Sequence, residues 1–593
     1  MVFFLGTALF TLWAQLTPLG SAPDEASHYV KSAAVVRGEW TGTPIDDWRL
    51  AVDGWVHSTD TKVVEVLVAS GNEVLARSPL SVVRDDVNLA RSLPSDEVVG
   101  FDFGVILSER REPIVVAAVL ADGTLATVPF IDDTNVKSDP TQASIDGKPL
   151  ETLSRVVGVV EHADFFGRME YSYWSTNVDI DKQFDGAHEV QRCFVAQATT
   201  PACALSVETW PITEGQALTT MGYYAPSVYL IPGIATLFGA SNASWYLARI
   251  IGSITAALIL ALGIASLQSR RLSVFPLLTA AVPAVVYLAS VVNPSGLEII
   301  GAVGIWITLP GLLTDSRRDS WALSCFSLSG LVVILARPLG MAYYAVILGI
   351  CVIGVGNITG LVALARKYLW LSLSHLVALV FATYWYLAVY NSQVDPRMAE
   401  HLGPRVPLLE QIAHAMGDVT RVLHEAIGDL GSLEVPLPRL AVLAIVLVTF
   451  WIVITGWTTA PISMRRATIA LVAIAVVAIV VIDLNYYRIL RGYGAQGRHL
   501  TPLLVGIPLL AARFARFTRT QRWVIFGVWS TTHLLAGYTA LRRYSVGLIG
   551  DEVLELFYFP RWSPTLGIVG TLVALSLIVG VIGIVAVRAE GGD

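Results

Sequence analysis

The stretch "VFFLGTALFTLWAQLTPLGSAPDEASHYVK" (Val2–Lys31) decides the fold class. Val2 to Leu16 carries no charge and reads as a first spanning helix, drawn over residues 2–20. A signal-peptide core is the other reading, but no basic residues precede the run. The chain then turns polar at once, with Pro23, two adjacent carboxylates (Asp24 and Glu25), His28 and Lys31. Those acids are either a helix start or a reactive group held at a membrane surface. As a helix start, Ser21 is the N-cap, Asp24 stands at N3 and Gly38 ends the helix. The same helical spacing gathers Asp24, Ser27 or His28, and Lys31 on one face.

The rest of the chain fixes the context. Its 593 residues are 54% hydrophobic and only 15% charged, and the mean hydropathy is +0.61. Ordinary soluble chains hold about a quarter charged residues, so this is an α-helical polytopic membrane protein. A net charge of −7 excludes a nucleic-acid partner. Apolar runs predict about twelve transmembrane helices: 2–20, 244–268, 272–292, 296–314, 320–336, 340–357, 368–390, 438–457, 467–486, 500–514, 523–541 and 563–588. With a cytoplasmic N-terminus, Arg270-Arg271, Arg317-Arg318, Arg366-Lys367, Arg465-Arg466 and "ARFARFTRTQR" (Ala512–Arg522) all fall inside, as the positive-inside rule requires. Both termini are then cytoplasmic, and residues 21–221 and 391–437 lie outside a plasma membrane. "GYYAPSVYLIPGIATLFG" (Gly222–Gly239) breaks this count if it spans, so it is expected to lie at the interface or dip in.

Four regions follow. Residues 1–45 hold the first helix and the acidic motif. Residues 46–132 alternate or run short and β-branched between Asp-Gly, Ser-Gly and Pro turns, which predicts an extracytoplasmic β-sandwich inserted in the first outer loop. Residues 133–243 complete that loop, and 244–593 form the transmembrane bundle. Within 391–437, Leu409, Ile412, Met416, Val419, Leu423, Ile427 and Leu430 recur every three or four residues, an amphipathic helix on the membrane surface. Cys193 and Cys203, in "CFVAQATTPAC", suit a disulfide if their loop is outside the cytosol. Cys325 and Cys351 sit in apolar runs.

An acidic motif just after the first transmembrane helix, followed by an aromatic, proline-containing segment, resembles the GT-C glycosyltransferases. "PDEASHYVKSAAVVRGEW" (Pro23–Trp40) is similar to the first-loop motif of protein mannosyltransferases and aminoarabinose transferases. "YYAPSVYL" (Tyr223–Leu230) resembles their Pro-Pro segment with one of the two prolines. "CFVAQATTPAC", "NPSG" (Asn293–Gly296) and "QGRHLTP" (Gln496–Pro502) resemble an uncharacterised actinobacterial family of polytopic membrane proteins, in which Tyr is usual where His499 stands. The resemblance implies a GT-C-like fold and an enzyme of cell-envelope biosynthesis. Such an enzyme moves a sugar from a polyprenyl-phosphate donor to a glycan or glycolipid acceptor on the outer face. It implies Asp24, with Glu25 beside it, as the catalytic base or as a metal ligand.

Basic residues on the outer side need a reason. Arg337, Arg488, Arg491 and Arg498 are candidates for the donor phosphate, since a guanidinium fork matches phosphate oxygens. Arg542-Arg543 read as interfacial anchors. His28, Lys31, Tyr224 and Gln496 are auxiliary candidates. Asp24 and His28 could share a divalent cation, but two ligands are too few to assert one. Asp179, Asp181 and Asp185 read as a solvated loop. Two other classes remain: a transporter or flippase of lipid-linked saccharides, and a cell-surface glycan-binding protein. The flippase would need polar groups at the membrane midplane. The glycan-binding reading leaves the apolar helices unexplained. Sequence does not give the oligomeric state.

Overall fold

The computed structural model describes residues 1–44, 48–131, 136–166, 176–192, 194–195, 199–203, 205–209, 216–314, 319–390, 406–490, 494–548 and 554–590. The chain forms two units. One is Met1–Thr43 together with Thr176–Asp593, and the other is Pro44–Ser175.

Pro44–Ser175 is β-rich, with two sheets sharing one apolar core. Strand Trp48–Ser58 lies between Val98–Leu107 and Val156–Phe166, antiparallel to both. Leu50, Val52 and Val56 on its inner face meet Val66, Val68 and Val116 of the second sheet. That second sheet has six strands, among them Val63–Ser70 and Val115–Leu120. Its other face is also covered, by Leu67, Ala117, Leu125 and Ile145. The unit runs past the expected boundary at residue 132. Val156–Phe166 supplies a full-length partner to Trp48–Ser58, so the sheet is incomplete without it. Weak alternation in "VVGVVEHADFF" hid that strand in the sequence.

In the helical unit, seven helices are long and apolar enough to cross a membrane, among the described residues. They are Asn242–Ser269, Pro294–Thr314, Leu369–Tyr390, Arg439–Thr459, Ile462–Arg488, Arg519–Val546 and Gly567–Ala589. Gly340–Val355 and Ile358–Lys367 make an eighth if a pair bent by 120° counts as one span. Among the described residues, then, fewer helices of membrane length occur than the twelve expected. The runs at 272–292 and 500–514 are broken into short helices: Phe275–Ala280 and Pro283–Leu288, then Gly497–Leu504 and Gly506–Ala511. Pro283 and Pro508 lack the N–H that would carry a helix across the break. Both broken runs are nearly all buried among the other helices, so their hydropathy serves packing rather than lipid contact. Val2–Leu16 and Ser320–Ala336 are apolar but shorter.

Over 222–239 the chain forms the short helices Ser227–Tyr229 and Leu230–Thr236, which expose Leu230 and Ile234, and Phe238 just after them is exposed too. The amphipathic stretch 408–428 is two helices, Leu408–Gly417 and Val419–Gly428, rather than one.

Helices Pro294–Thr314 and Ser320–Ala336 give the unit two ends. Asn293, Ser295 and Arg337 lie at one end. At the other, residues 269–272, Gly311, Thr314, Asp319, Ser463 and Arg513 are among those around a cavity. Of the basic residues that the sequence set on one side, Arg270, Arg271 and Arg513 lie around that cavity.

Candidate functional site

The site begins at the turn between residues 17 and 25. Glu25 is fully buried, and its carboxylate accepts from the Gly20 N–H (3.1 Å) and the Val292 N–H (3.1 Å). Arg249, also fully buried, meets both carboxylate oxygens, Nε to Oε1 at 2.7 Å and Nη2 to Oε2 at 2.6 Å. Its remaining donors go to the carbonyls of Ala14, Thr17 and Pro18. Glu25, expected beside Asp24 as a catalytic group, is thus held inward as a buried carboxylate paired with Arg249. An unpaired buried charge would cost several kcal/mol, so the pair fixes this turn.

With Glu25 locked inward, the helix starts at Glu25 and runs to Val36. Asp24, not Ser21, is its N-cap. Asp24 has φ +59° and makes no side-chain cap bond. Aspartate tolerates this left-handed conformation better than most side chains. The expected capping box is absent because the chain reverses at Gly20 and again at Asp24. Its consequence is chemical: the Asp24 carboxylate is not spent on the helix. It accepts from Arg498 Nη2 at 3.0 Å, and its side chain is 43% exposed. Burial would raise the Asp24 pKa, but Arg498, with His28 and Arg337 adding to it, holds the carboxyl below its usual 3.8.

Arg498 is held by packing outside its own helix. Gly497–Leu504 starts against helix Val419–Gly428, where the Gly497 N–H donates to Glu425 Oε2 at 2.8 Å. A carboxylate there also complements the helix dipole. Arg421 steadies Glu425 and donates to the Ala495 carbonyl at 3.2 Å. Gly497 is obligatory: a Cβ would lie 2.2 Å from the Ala426 nitrogen. We expect Gly497→Ala to push the Arg498 helix off its support and to lose ligand binding at this site while the β-rich unit stays folded. Limited proteolysis beside a binding assay checks this; unchanged binding would refute it.

Arg337 follows helix Ser320–Ala336. Its Nη1 donates to Ser295 Oγ at 2.8 Å and lies 3.7 Å from Glu298 Oε2. Burial works against its charge, but Glu298, Tyr224 and Tyr343 raise its pKa. Glu298 is fully buried and neither carboxylate oxygen has a hydrogen-bond partner. "NPSG" joins the two halves of the site. Asn293 Nδ2 donates to the Pro23 carbonyl (3.0 Å), and Ser295 meets Arg337.

The auxiliary candidates divide. Tyr224 is half-buried and interacts electrostatically with Arg337, Asp24 and Arg498; burial raises its pKa. His28 is buried, its Nδ1 2.9 Å from the Tyr229 hydroxyl, and burial lowers its pKa to about 3 despite Asp24. Lys31 donates to the carbonyls of Trp40 and Gly222, both at 2.6 Å, so it ties loops together. The Gln496 N–H donates to His499 Nδ1 at 3.2 Å. Gln496 and His499 thus shape the start of the Arg498 helix. Arg488 is exposed near the Asn485 amide oxygen (3.5 Å) and is not brought to Asp24. Arg491 and Cys193 lie outside the described residues. The Asp181 carboxylate accepts from the nearby Gln183 N–H, whereas Asp185 reaches across to accept from the Leu218 N–H at 2.6 Å. Arg543 is not an interfacial anchor. It is fully buried, donating to the Thr200 and Phe194 carbonyls at 2.7 Å each.

A divalent cation does not fit this donor set. Asp24 is engaged by Arg498, Glu25 by Arg249 and His28 by Tyr229, and no group of three or more metal-ligating side chains occurs among the described residues.

Sequence reasoning missed Arg249, Glu298 and the tyrosines 229, 343 and 486 that interact with Asp24 or Arg337. A signal existed for the first two. Each is a charge inside an otherwise apolar helix, where charge is expensive and rarely idle.

Helices of membrane length around a buried polar site define a polytopic membrane protein. A family model for predicted membrane proteins, DUF2142, matches residues 169–507, more than half of the chain, and the protein belongs to that family. The matched stretch carries Tyr224, Arg249, Glu298, Arg337 and Arg498, while Asp24 precedes it. No curated protein matches the chain.

Proposed function

We propose that the protein is a GT-C-type glycosyltransferase using a polyprenyl-phosphate sugar at the Asp24–Arg498 site. The observation that carries this reading is the convergence of three residues remote in sequence: Asp24 lies 3.0 Å from Arg498 and interacts with Arg337. One carboxylate beside two guanidiniums suits transfer from a phosphate leaving group. The acceptor hydroxyl gives its proton to Asp24 as its oxygen bonds to the sugar's anomeric carbon. The bond from that carbon to the phosphate oxygen breaks, and the phosphate leaves with the electron pair, held by Arg498 and Arg337.

The Asp24–Arg498 contact has a role in this scheme. Donor phosphate competes for Arg498 and partly neutralises it. The Asp24 pKa, held down by that guanidinium, then rises toward the ordinary range, and the carboxylate becomes a stronger base once the donor is seated. We expect Arg498→Ala to weaken polyprenyl-phosphate binding about 10–100-fold, the worth of one charged hydrogen-bonded contact. Arg498→Lys restores it only in part, because a point charge replaces a fork. Equal binding by all three forms, measured in detergent with a short-chain polyprenyl phosphate, refutes the donor assignment.

The reading places this end of the bundle outside the plasma membrane, with a cell-envelope glycan or glycolipid as acceptor. A Cys introduced at the exposed Ala143 should react with an impermeant maleimide in intact cells. Labelling only after lysis would reverse the topology. Cys193 and Cys203 should be bridged, closing a loop worth about 2–3 kcal/mol. Titration of the unfolded, unreduced chain should then find only the thiols of Cys325 and Cys351; four thiols would refute the bridge.

A further inference from the structure

Two arginines of the helical unit are paired with buried glutamates, and the two pairs are built differently. Arg249 gives a direct hydrogen bond to each carboxylate oxygen of Glu25 and its other donors to three carbonyls. That leaves no donor for a ligand. Arg337 spends one donor, Nη1, on Ser295 Oγ at 2.8 Å. Its Nε and Nη2 make no hydrogen bond among the described residues, and its side chain is 13% exposed. Glu298 Oε2 stands 3.7 Å from Nη1, too far for a hydrogen bond but close enough to balance the charge.

Glu298 is the less satisfied partner. It is fully buried, neither of its oxygens accepts a hydrogen bond, and Arg337 is the one charged group acting on it among the described residues. It stands three residues after Ser295 in helix Pro294–Thr314, a spacing that puts both on one side of the helix, toward Arg337. The turn that carries Arg337 closes over it. A Cβ at Gly340 would stand 3.3 Å from Glu298 Oε1 and collide with the Val333 carbonyl. The carboxylate is therefore fixed beneath the turn and touches no solvent. A buried carboxylate without a donor is costly. Its position does gain one thing: a guanidinium that is balanced in charge while most of its fork stays open.

We propose that Glu298 is a positioning residue, which keeps Arg337 in place without occupying its fork and moderates its hold on phosphate so that the phosphate product can leave. This rests on the reading of Arg337 as a ligand of the donor phosphate.

The test measures binding of a short-chain polyprenyl phosphate to the purified full chain in detergent, at about pH 8, well above the ordinary carboxylate range. Glu298→Gln is expected to bind about tenfold more tightly, because Arg337 no longer shares its charge with a second anion. A side chain with a merely structural role would not tighten binding when replaced. In an Arg337→Gln background the same change should bring no gain, since the coupling passes through Arg337. Without ligand, Glu298→Gln should melt below the wild type, and saturating polyprenyl phosphate should close the difference by supplying the missing anion. Glu298→Asp keeps the charge but draws it back by one carbon. It should gain less affinity in the same direction, and it carries the test if the glutamine variant does not fold. Equal or weaker binding by these variants beside a wild type that binds, or a gain that persists without Arg337, overturns the inference and leaves the donor site standing. No binding by the wild type ends the donor reading, and this inference with it.

Discussion

Replacing Asp24 by Asn is expected to abolish sugar transfer and leave the protein folded. Three features separate the two effects. Asp24 makes no side-chain cap bond, so the helix Glu25–Val36 loses nothing when the charge goes. Asn accepts the left-handed φ of +59° as readily as Asp, which Ala or Val would not. The Arg498 contact is partly exposed, and such ion pairs contribute about 0–1 kcal/mol. Against that small cost stands the loss of the proposed proton acceptor, about 10²–10⁴-fold in rate for general-base catalysis. The measurement is transfer from a polyprenyl-phosphate sugar by purified protein, beside donor binding and thermal stability. Near-normal transfer would end the glycosyltransferase assignment and favour a flippase of lipid-linked saccharides.

Glu25→Gln should do the reverse. It leaves Arg249 buried with no countercharge, and breaking a buried pair in this way costs about 3–5 kcal/mol. Both partners are fully buried, and Arg249 also gathers the carbonyls of Ala14, Thr17 and Pro18. We expect a sharply lower melting temperature and poor recovery from the membrane. The fraction that folds should keep its donor affinity, since Glu25 does not face Arg498. Arg249→Met, paired with Glu25→Gln, should be less harmful than the sum of the single changes, because no charge is left alone. A wild-type melting temperature for Glu25→Gln would show that the pair does not hold the turn.

These two neighbours show where sequence and structure part. Side by side in "PDEA", they look equivalent, and both were candidates for catalysis. Helical periodicity separates them by about 100°, which does not say which one faces a partner. Arg249 and Val292 decide it by drawing Glu25 inward, and the turn that results leaves Asp24 outside.

Composition and uncharged runs by themselves determined a polytopic membrane protein with a β-rich insertion, because burial in lipid demands long apolar helices and sheets demand short alternating ones. Spacing and residue chemistry also singled out Asp24, Arg337 and Arg498, which the fold does bring together. Which apolar runs form unbroken helices of membrane length was decided only in three dimensions. A run such as 272–292 is equally apolar whether lipid or protein surrounds it, and its prolines break it inside the bundle. The fate of each charge was decided there too. Arg488 and Arg498 share one short loop in sequence, yet only Arg498 sits on a helix whose first N–H is clamped by Glu425. That clamp comes from residues about seventy positions earlier, and no local pattern encodes a contact between backbones that only Gly497 permits.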